Sequence, residues 1–241
     1  MSTVDSLREH IAVELPGATA LFTTRHGGFS AGPYESLNLG RFTDDDPHAV
    51  ARNRETVQAQ LGVRFAFGRQ VHGKRVIRAQ AAPDPEATPV EADGQATNVV
   101  GLAPMVLTAD CLPIAVAGGG AVAMLHAGWR GLAAGIVAEG VDAVRELGAA
   151  GAPLAAAIGP GAGPCCYEVS EDVHEVFAGF GPDVRRGRNL DLKAVARRAL
   201  NDAGVSDVHD VGLCTICSTE FFSHRRDHGG TGRQAGVAWL S

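Results

Sequence analysis

Residues 105–126, MVLTADCLPIAVAGGGAVAMLH, decide the fold class of this chain. The apolar runs 105–108, 113–117 and 121–126 predict three strands, because each is short and bounded by turn formers. The three consecutive glycines 118–120 predict a hairpin turn between the last two strands. A hairpin brings Cys111, which precedes one strand, and His126, which ends its partner, to the same end of a sheet.

Helices and strands are mixed along the rest of the chain and do not strictly alternate. Asp46 and Pro47 predict the N-cap and first turn of a helix that ends at Gly62. We expect further helices over 129–147, 170–178 and 191–203, and strands over 18–24, 65–71, 75–79, 154–158, 208–211 and 236–240. This pattern favours an α+β layered sandwich over a doubly wound parallel sheet.

Composition and charge narrow the class of protein. With 241 residues, 45% of them hydrophobic, the chain suits one large domain or two small ones. A formal net charge of −6 argues against nucleic acid or an anionic membrane as the main partner. No apolar run approaches the roughly 20 residues of a membrane helix. The first ten residues lack an apolar signal region, so the cytoplasm is the expected compartment.

Two further features of the composition bear on structure. Five cysteines, an odd number that includes the adjacent pair 165–166, favour reduced thiols over a disulfide framework. Residues 81–89, AAPDPEATP, predict an exposed loop.

Three metal-ligand residue types stand beside turn formers at the ends of strand-like runs: His72, Cys111 and His126. Two imidazoles and one thiolate are typical of a catalytic zinc site, which keeps one position open, whereas structural zinc is closed by four protein ligands. Each residue taken alone is more simply interpreted as a core or surface residue, but the joint pattern favours a metal. Asp110 is a candidate to orient one of the ligands.

A competing metal pattern lies near the C-terminus. Cys214 and Cys217 with His224 and His228 give C-x2-C…H-x3-H, which superficially matches a structural zinc site. The six residues between Cys217 and His224 are about half the usual finger spacing, which disfavours this interpretation. The interpretation of Cys214 and Cys217 as a redox pair has still less support, because no thioredoxin-like βαβ pattern follows them. The simplest alternative is a pair of thiols near the surface.

Arginines beside glycine turns are candidates for binding phosphate. Arg25 and Arg130 are the two we favour, because a guanidinium can clamp phosphate in a bidentate fork and exposed backbone N–H groups add donors. Arg130 also lies at a predicted helix start, where the dipole favours an anion. Arg225, Arg226 and Arg233 share the setting, and surface ion pairing is the ordinary alternative for each. The glycine-rich segment 159–168 is a wide turn or a substrate loop that presents Glu168 or a cysteine.

Taken together, these segments resemble the YfiH-type laccase-domain family, which has been labelled both polyphenol oxidase and purine nucleoside phosphorylase. The motifs are TTRHGGFSAGPYESLNLG, QVHG, ADGQAT, TADCLPI, LHAGWRG, IGPGAGPCCYEV and CTICSTEFFSHRRD…TGRQA. The resemblance implies one domain over 18–241 behind an N-terminal tail of 1–17, folded as a layered α/β/β/α sandwich with mixed sheets. It also implies zinc bound by His72, Cys111 and His126. Cys217 is a departure, because we do not expect a cysteine at this position throughout the family.

The activity implied by the resemblance is phosphorolysis of adenosine, inosine, guanosine and methylthioadenosine, with hydrolytic deamination of adenosine at the same site. On this hypothesis Arg25 and Arg130 hold phosphate. The remaining predicted contacts are Asp110, Gln70 and Glu168 to the leaving purine and Asn38 to the sugar or base.

Three alternatives stay open. Copper is the other ion that a site of two histidines and one cysteine accepts, and it would make the protein a polyphenol oxidase. None of the nine histidines forms the His-x-His pairs usual in multicopper oxidases, which disfavours that activity. A cysteine hydrolase that uses Cys111 and a non-catalytic metal or nucleotide-binding module are the remaining two.

Overall fold

The protein is described by a computed structural model that covers residues 10–84 and 87–241. Five α-helices and thirteen strands are assigned over those residues. The helices are α1 (Pro47–Leu61), α2 (Trp129–Ala134), α3 (Ile136–Leu147), α4 (Glu171–Val176) and α5 (Leu192–Asp202). The strands are β1 (Ile11–Leu15), β2 (Ala18–Phe22), β3 (Arg64–Ala66), β4 (Val76–Arg78), β5 (Gly94–Thr97), β6 (Leu102–Thr108), β7 (Leu112–Gly118), β8 (Ala121–Ala127), β9 (Ala155–Ile158), β10 (Arg185–Arg186), β11 (Asn189–Leu190), β12 (Asp207–Asp210) and β13 (Gln234–Leu240).

Most strands belong to two mixed sheets. One sheet has the order β1-β2-β13-β6-β3 and the other β12-β9-β7-β8-β5-β4, while β10 and β11 form a separate pair. The first sheet is antiparallel apart from the parallel pair β3–β6. The second combines antiparallel pairs with the parallel pairs β12–β9 and β4–β5. The prediction of mixed sheets is confirmed.

The two sheets pack face to face, with helices on their outer faces. Apolar side chains fill the space between the sheets, among them Phe22, Val122 and Met124. On the far side of the second sheet, α3 and α5 bury Val141 and Val195 in the largest core cluster. On the far side of the first sheet, α1 contributes Val57. The layers are therefore α/β/β/α, as the family resemblance implied.

Helix boundaries follow the sequence signals closely at one helix and less closely at another. The Asp46 carboxylate accepts from the His48 N–H at the start of α1, and Gly62 ends that helix with φ of 67°. The helix predicted over 129–147 is instead two helices, α2 and α3. Gly135 separates them because its φ of 93° lies in the left-handed region, which ends one helix and redirects the chain into the next.

One strand prediction also needs correction, and one strand was not predicted. The strand predicted over 65–71 ends at Ala66, because the chain then turns away from β6 into the loop that carries His72. Within the predicted N-terminal tail, Ile11–Leu15 forms the edge strand β1, which pairs antiparallel with β2. Its alternate side chains Ile11, Val13 and Leu15 pack against the apolar layer between the sheets. Residues 1–9 of the tail, and Pro85 and Glu86 of the loop predicted at 81–89, lie outside the described residues.

The predicted central hairpin is present. Strands β7 and β8 pair antiparallel from Leu112↔Ala127 to Gly118↔Ala121, with the turn at the glycines. Cys111 immediately precedes this ladder and His126 lies opposite Pro113, so both reach the same end of the second sheet. Across residues 10–84 and 87–241, no helix combines the length and the apolar character that crossing a bilayer requires.

Candidate metal centre and cavity

Three side chains from separate parts of the chain meet at the end of the central hairpin. The ligand atoms of His72, Cys111 and His126 all lie within 4.8 Å of one another. The two imidazole rings meet edge to face with centroids 4.8 Å apart. His126 is buried at the end of β8, Cys111 is half-buried just before β7, and His72 is exposed on the loop after β3. The structure thus brings together all three predicted metal ligands.

A carboxylate that the sequence reasoning did not single out, Asp93, holds this cluster in place. It is fully buried just before β5. One oxygen, Oδ1, lies 2.8 Å from Nδ1 of His126 and accepts the backbone N–H of His72 at 2.9 Å. The other oxygen, Oδ2, accepts the backbone N–H groups of Val71 at 3.1 Å and Gly73 at 2.8 Å. Its only sequence signal was its place in the ADGQAT motif.

Asp93 fixes both histidines by different means. With Nδ1–H of His126 directed at the carboxylate, Nε2 is left as the lone-pair nitrogen for a metal. The backbone of His72 has φ of 60°, a left-handed conformation that is uncommon for residues other than glycine. Hydrogen bonds from three successive N–H groups to one carboxylate stabilise that turn.

The electrostatics of the cluster favour a metal-binding thiolate. Burial alone would raise the pKa of the Cys111 thiol, but the charge and hydrogen bonds of His126, and then of His72, lower that pKa to about 6. In the reverse direction, the Cys111 thiolate and Asp93 outweigh burial and raise the pKa of His126. Two imidazoles and one readily formed thiolate fit zinc, with one coordination position left for a small ligand.

Gly128 provides the space that the cluster needs. It precedes α2, and a Cβ atom there would lie 2.8 Å from Sγ of Cys111 and 3.2 Å from Cδ2 of His72. Any larger residue would therefore displace a predicted ligand. The backbone does not require glycine here, because its φ of −78° is accessible to every residue. The close approach of the Cys111 and His72 side chains does.

A cavity of about 480 Å³ opens beside the cluster, a size typical of small-molecule sites. Its wall includes the three predicted ligands, Asp110, Gln70 and Tyr167. It also includes six arginines: Arg41, Arg54, Arg69, Arg130, Arg225 and Arg233. The cavity therefore places a candidate metal site next to several candidate anion ligands.

Of the residues predicted to act on substrate, Asp110, Gln70 and Arg130 line the cavity. The Asp110 carboxylate is already engaged, since Oδ1 accepts from Oγ1 of Thr215 and Oδ2 from the backbone N–H of Arg225, both at 2.7 Å. The Gln70 amide donates to the Leu107 carbonyl at 2.7 Å and accepts from its N–H at 2.8 Å. Both side chains thus have a structural role at the cavity wall.

Arg25 is not among the described residues that line the cavity. Its Nε donates to the Glu35 carbonyl at 2.7 Å, and its guanidinium lies over the Phe222 ring at 4.7 Å. Its place beside a glycine turn was readable from the sequence, but its contacts with Glu35 and Phe222 were not.

Asn38 and Glu168 are also outside the described lining of the cavity. Asn38 is fully buried, and its amide donates to Thr43 and Asp45 while its Oδ1 accepts from the N–H of Arg233 at 2.9 Å. It therefore supports a cavity residue from behind. The Glu168 carboxylate pairs with Arg188.

The sequence reasoning missed two further cavity residues. Arg54 projects from α1, its NH1 donates to the Leu39 carbonyl at 3.1 Å, and its guanidinium lies over Phe67 at 4.4 Å. Burial, and then the neighbouring Arg41, lower its pKa to about 10. Burial, and then the Cys111 thiolate, raise the pKa of Tyr167 to about 12. A buried arginine in the middle of α1 carries no local motif, and Tyr167 belongs to a longer motif, IGPGAGPCCYEV, in which no feature marks it.

The C-terminal zinc-finger pattern is not formed. Cys214 and Cys217 cluster with Cys165 and Cys166, whereas His224 lies at the wall of the cavity. This arrangement supports the argument from spacing against a zinc finger. The two cysteines instead contact cysteines far earlier in the chain, such as Cys166, which precedes Cys217 by 51 residues.

Fold and site together define an α/β/β/α protein in which two histidines and one cysteine, arranged as metal ligands would be, lie in the wall of an arginine-lined cavity. A family model described as "Multi-copper polyphenol oxidoreductase laccase" matches residues 19–241. The chain belongs to this family, which confirms the resemblance found in the sequence.

Relatives and solved structures agree with this assignment. A protein of Pseudomonas aeruginosa named purine nucleoside phosphorylase is 40% identical over 92% of this chain and 93% of its own length. The crystal structure of a Neisseria meningitidis protein is 37% identical, with a TM-score of 0.86 over 97% of this chain and 99% of that one. The crystal structure of Bacillus licheniformis YfiH is 33% identical, with a TM-score of 0.84 over 93% of each chain. The names of the relatives support an enzyme.

Proposed function

We propose that this protein is a zinc-dependent purine nucleoside phosphorylase that acts on adenosine, inosine, guanosine and methylthioadenosine and deaminates adenosine at the same site. The observation that carries the proposal is the His2Cys set in the wall of a cavity that six arginines also line. A metal ligand set and a phosphate-binding surface are thus available to one small substrate. The name of the Pseudomonas aeruginosa relative supports the same class of reaction.

Phosphate binding is assigned to two arginines of the cavity wall, the buried Arg54 and the exposed Arg130, each of which lies over an aromatic ring. Arg54 is anchored by Leu39 and Phe67, and a pKa of about 10 keeps it protonated at neutral pH. Arg130 is held over the Trp129 ring at 4.4 Å from the centroid. Guanidinium groups bind phosphate in bidentate geometry, and a preorganised guanidinium loses little conformational entropy on binding. These residues replace Arg25 in the role first predicted for it.

Tyr167 is the group to which we assign contact with the departing purine. Its pKa of about 12 keeps the hydroxyl protonated, so it can donate a hydrogen bond as negative charge develops on the base. Asp110 supports this wall through Thr215 and the backbone of Arg225. When bound at His72, Cys111 and His126, zinc supplies a Lewis acid and an acidic water for deamination.

Polyphenol oxidation is the second candidate, because the family description names it. A site of two histidines and one cysteine accepts copper as well as zinc. Reduction of dioxygen to water needs four electrons, which multicopper enzymes gather at several copper ions. Within the described ranges, the groups with metal-binding geometry are this set and a set of four cysteines. Neither is a histidine-rich cluster for several coppers, so we favour the phosphorylase.

The test uses Cys111→Ala, with His209→Ala as the control because His209 is exposed on β12 away from the cavity. Zinc content is measured by elemental mass spectrometry, and adenosine with phosphate is followed by chromatography. We expect Cys111→Ala to lose the zinc of this site and phosphorolysis together, while the control keeps both. Full phosphorolysis by Cys111→Ala would refute the proposal, and copper with phenol oxidation in the unmodified protein would replace it with the oxidase.

A further inference from the structure

Four cysteine thiols converge at a second place on the molecule. The sulfur atoms of Cys165, Cys166, Cys214 and Cys217 all lie within 4.8 Å of one another. Sγ of Cys217 is 3.3 Å from that of Cys165 and 3.0 Å from that of Cys166. All four thiols are free, and none lines the cavity. The cluster is therefore a separate site at the surface, where two of its members are exposed and two half-buried.

The topology of the second sheet explains why the two cysteine pairs meet. Strands β9 and β12 are parallel neighbours, with Ile158 paired to Asp210 at their ends. The segments that follow parallel strands leave a sheet at the same edge. Each of these segments carries two cysteines, and they are joined by a bridge between Gly161 and Cys214 in which the Thr215 N–H donates to the Gly161 carbonyl at 3.1 Å.

The spacing of the four sulfurs suits one tetrahedral ion. Zinc binds thiolate at about 2.3 Å, which places four tetrahedral sulfurs roughly 3.8 Å from one another. The 3.0 and 3.3 Å pairs and the 4.8 Å upper limit bracket that value. A disulfide brings only two sulfurs together, at about 2.0 Å. The cluster instead gathers four, with two of them in the C-x2-C spacing that is common in zinc sites.

The backbone around Cys214 is arranged to stabilise a thiolate. The Gly163 N–H donates to Sγ of Cys214 at 3.2 Å. A Cβ on Gly163 would lie only 3.1 Å from Cβ of Cys214 and 3.3 Å from Sγ of Cys165. The two loops therefore pack around the sulfurs without room for a larger residue.

We propose that Cys165, Cys166, Cys214 and Cys217 bind one zinc ion in a closed, four-thiolate structural site. The ion fastens the loop after β9 to the loop after β12. Each loop also contributes to the cavity wall, because Tyr167 follows Cys166 and Thr215 donates to the Asp110 carboxylate. The second zinc thus stabilises the frame of the cavity without contacting substrate.

The experiment counts metal ions in the full chain purified under reducing conditions. Elemental mass spectrometry is applied to the unmodified protein, to the double variant Cys214→Ser with Cys217→Ser, and to Cys111→Ala as the matched cysteine control. We expect two zinc ions per chain in the unmodified protein and one in each variant. One zinc in the unmodified protein that the double variant retains would overturn the proposal, as would iron in place of the second zinc.

A second measurement leaves the four cysteines intact, in case the double variant does not fold. Cobalt is substituted into Cys111→Ala, where we expect the thiolate-to-cobalt absorption and tetrahedral ligand-field bands of a site with four sulfur ligands. Absence of those bands would contradict the proposal. Thiols are also counted with Ellman's reagent in the unmodified protein after denaturation and treatment with a chelator, where five are expected from the five free cysteines. A count of three would show a disulfide and refute the site.

Discussion

Replacing Asp93 by asparagine tests whether one buried carboxylate organises the candidate catalytic site. Each carboxylate oxygen of Asp93 accepts from two donors. Oδ1 accepts from the His72 N–H and from Nδ1 of His126, and Oδ2 accepts from the N–H groups of Val71 and Gly73. An asparagine of the same shape has one carbonyl oxygen and one NH2 group. Whichever way the amide turns, two of the four donors face another donor.

The expected cost follows from that count. Hydrogen bonds to a charged acceptor contribute about 1.5–3 kcal/mol each, so losing two should lower the free energy of unfolding by about 3–6 kcal/mol. This is a large fraction of the roughly 5–15 kcal/mol that stabilises a typical domain. Loss of the hydrogen-bond partner behind a metal-binding histidine should also weaken zinc binding about 10- to 100-fold.

Urea denaturation of the zinc-free protein measures the first effect, and competition with a chromogenic chelator measures the second. Glu91→Gln is the matched control, because Glu91 is close in sequence, undergoes the same change of charge to amide, and has a side chain that forms an exposed ion pair with Arg69. Such pairs contribute about 0–1 kcal/mol. If Asp93→Asn matched the control in both stability and zinc affinity, the positioning role of Asp93 would be wrong.

Two further predictions concern space and protons. Gly128→Ala should weaken zinc binding about tenfold or more, because the added methyl overpacks against Cys111. Gly73→Ala is its control, since a Cβ there has no neighbour closer than 3.5 Å, and equal zinc affinities in chelator competition would contradict the steric argument. Asp227 has a pKa below its ordinary 3.8, because hydrogen bonds from Arg226 and others outweigh burial. Its stabilisation is therefore present above about pH 4 and lost as pH falls through the folded pKa. Asp227→Asn should cost about 1–3 kcal/mol at pH 7 and less in acid, and a pH-independent difference in urea titrations would be inconsistent with that sign.

Local sequence signals were sufficient to predict the structure where the contacts lie within one short segment of the chain. The apolar runs and glycines of the central hairpin fixed the proximity of Cys111 and His126, because an antiparallel pair leaves little freedom in register. The start and end of α1 followed from Asp46 and Gly62 in the same way. In each instance the interaction spans a few residues, or two strands joined by a short turn.

The features that sequence missed depend on contacts between distant segments. Asp93 could be identified as an anchor only once β5 lay beside β8, which brings its carboxylate to His126. The four-cysteine cluster required the parallel pairing of β9 with β12. The prediction for Arg25 missed for a related reason: the glycine turn beside it was visible in the sequence, but the contact of its guanidinium with the distant Phe222 was not.

The placement of the last strand has a consequence for synthesis of the protein. β13, residues 234–240, lies in the interior of the five-stranded sheet, hydrogen-bonded to β2 on one side and β6 on the other. On the ribosome, β2 and β6 therefore each keep one unpaired edge until residues 234–240 have emerged, at a rate of about 5–20 residues per second. Exposed edges of this kind are templates for aggregation. Ribosome stalling or a premature stop codon shortly before residue 234 should thus yield aggregation-prone chains that quality control removes, although all three residues of the His2Cys site have already been made.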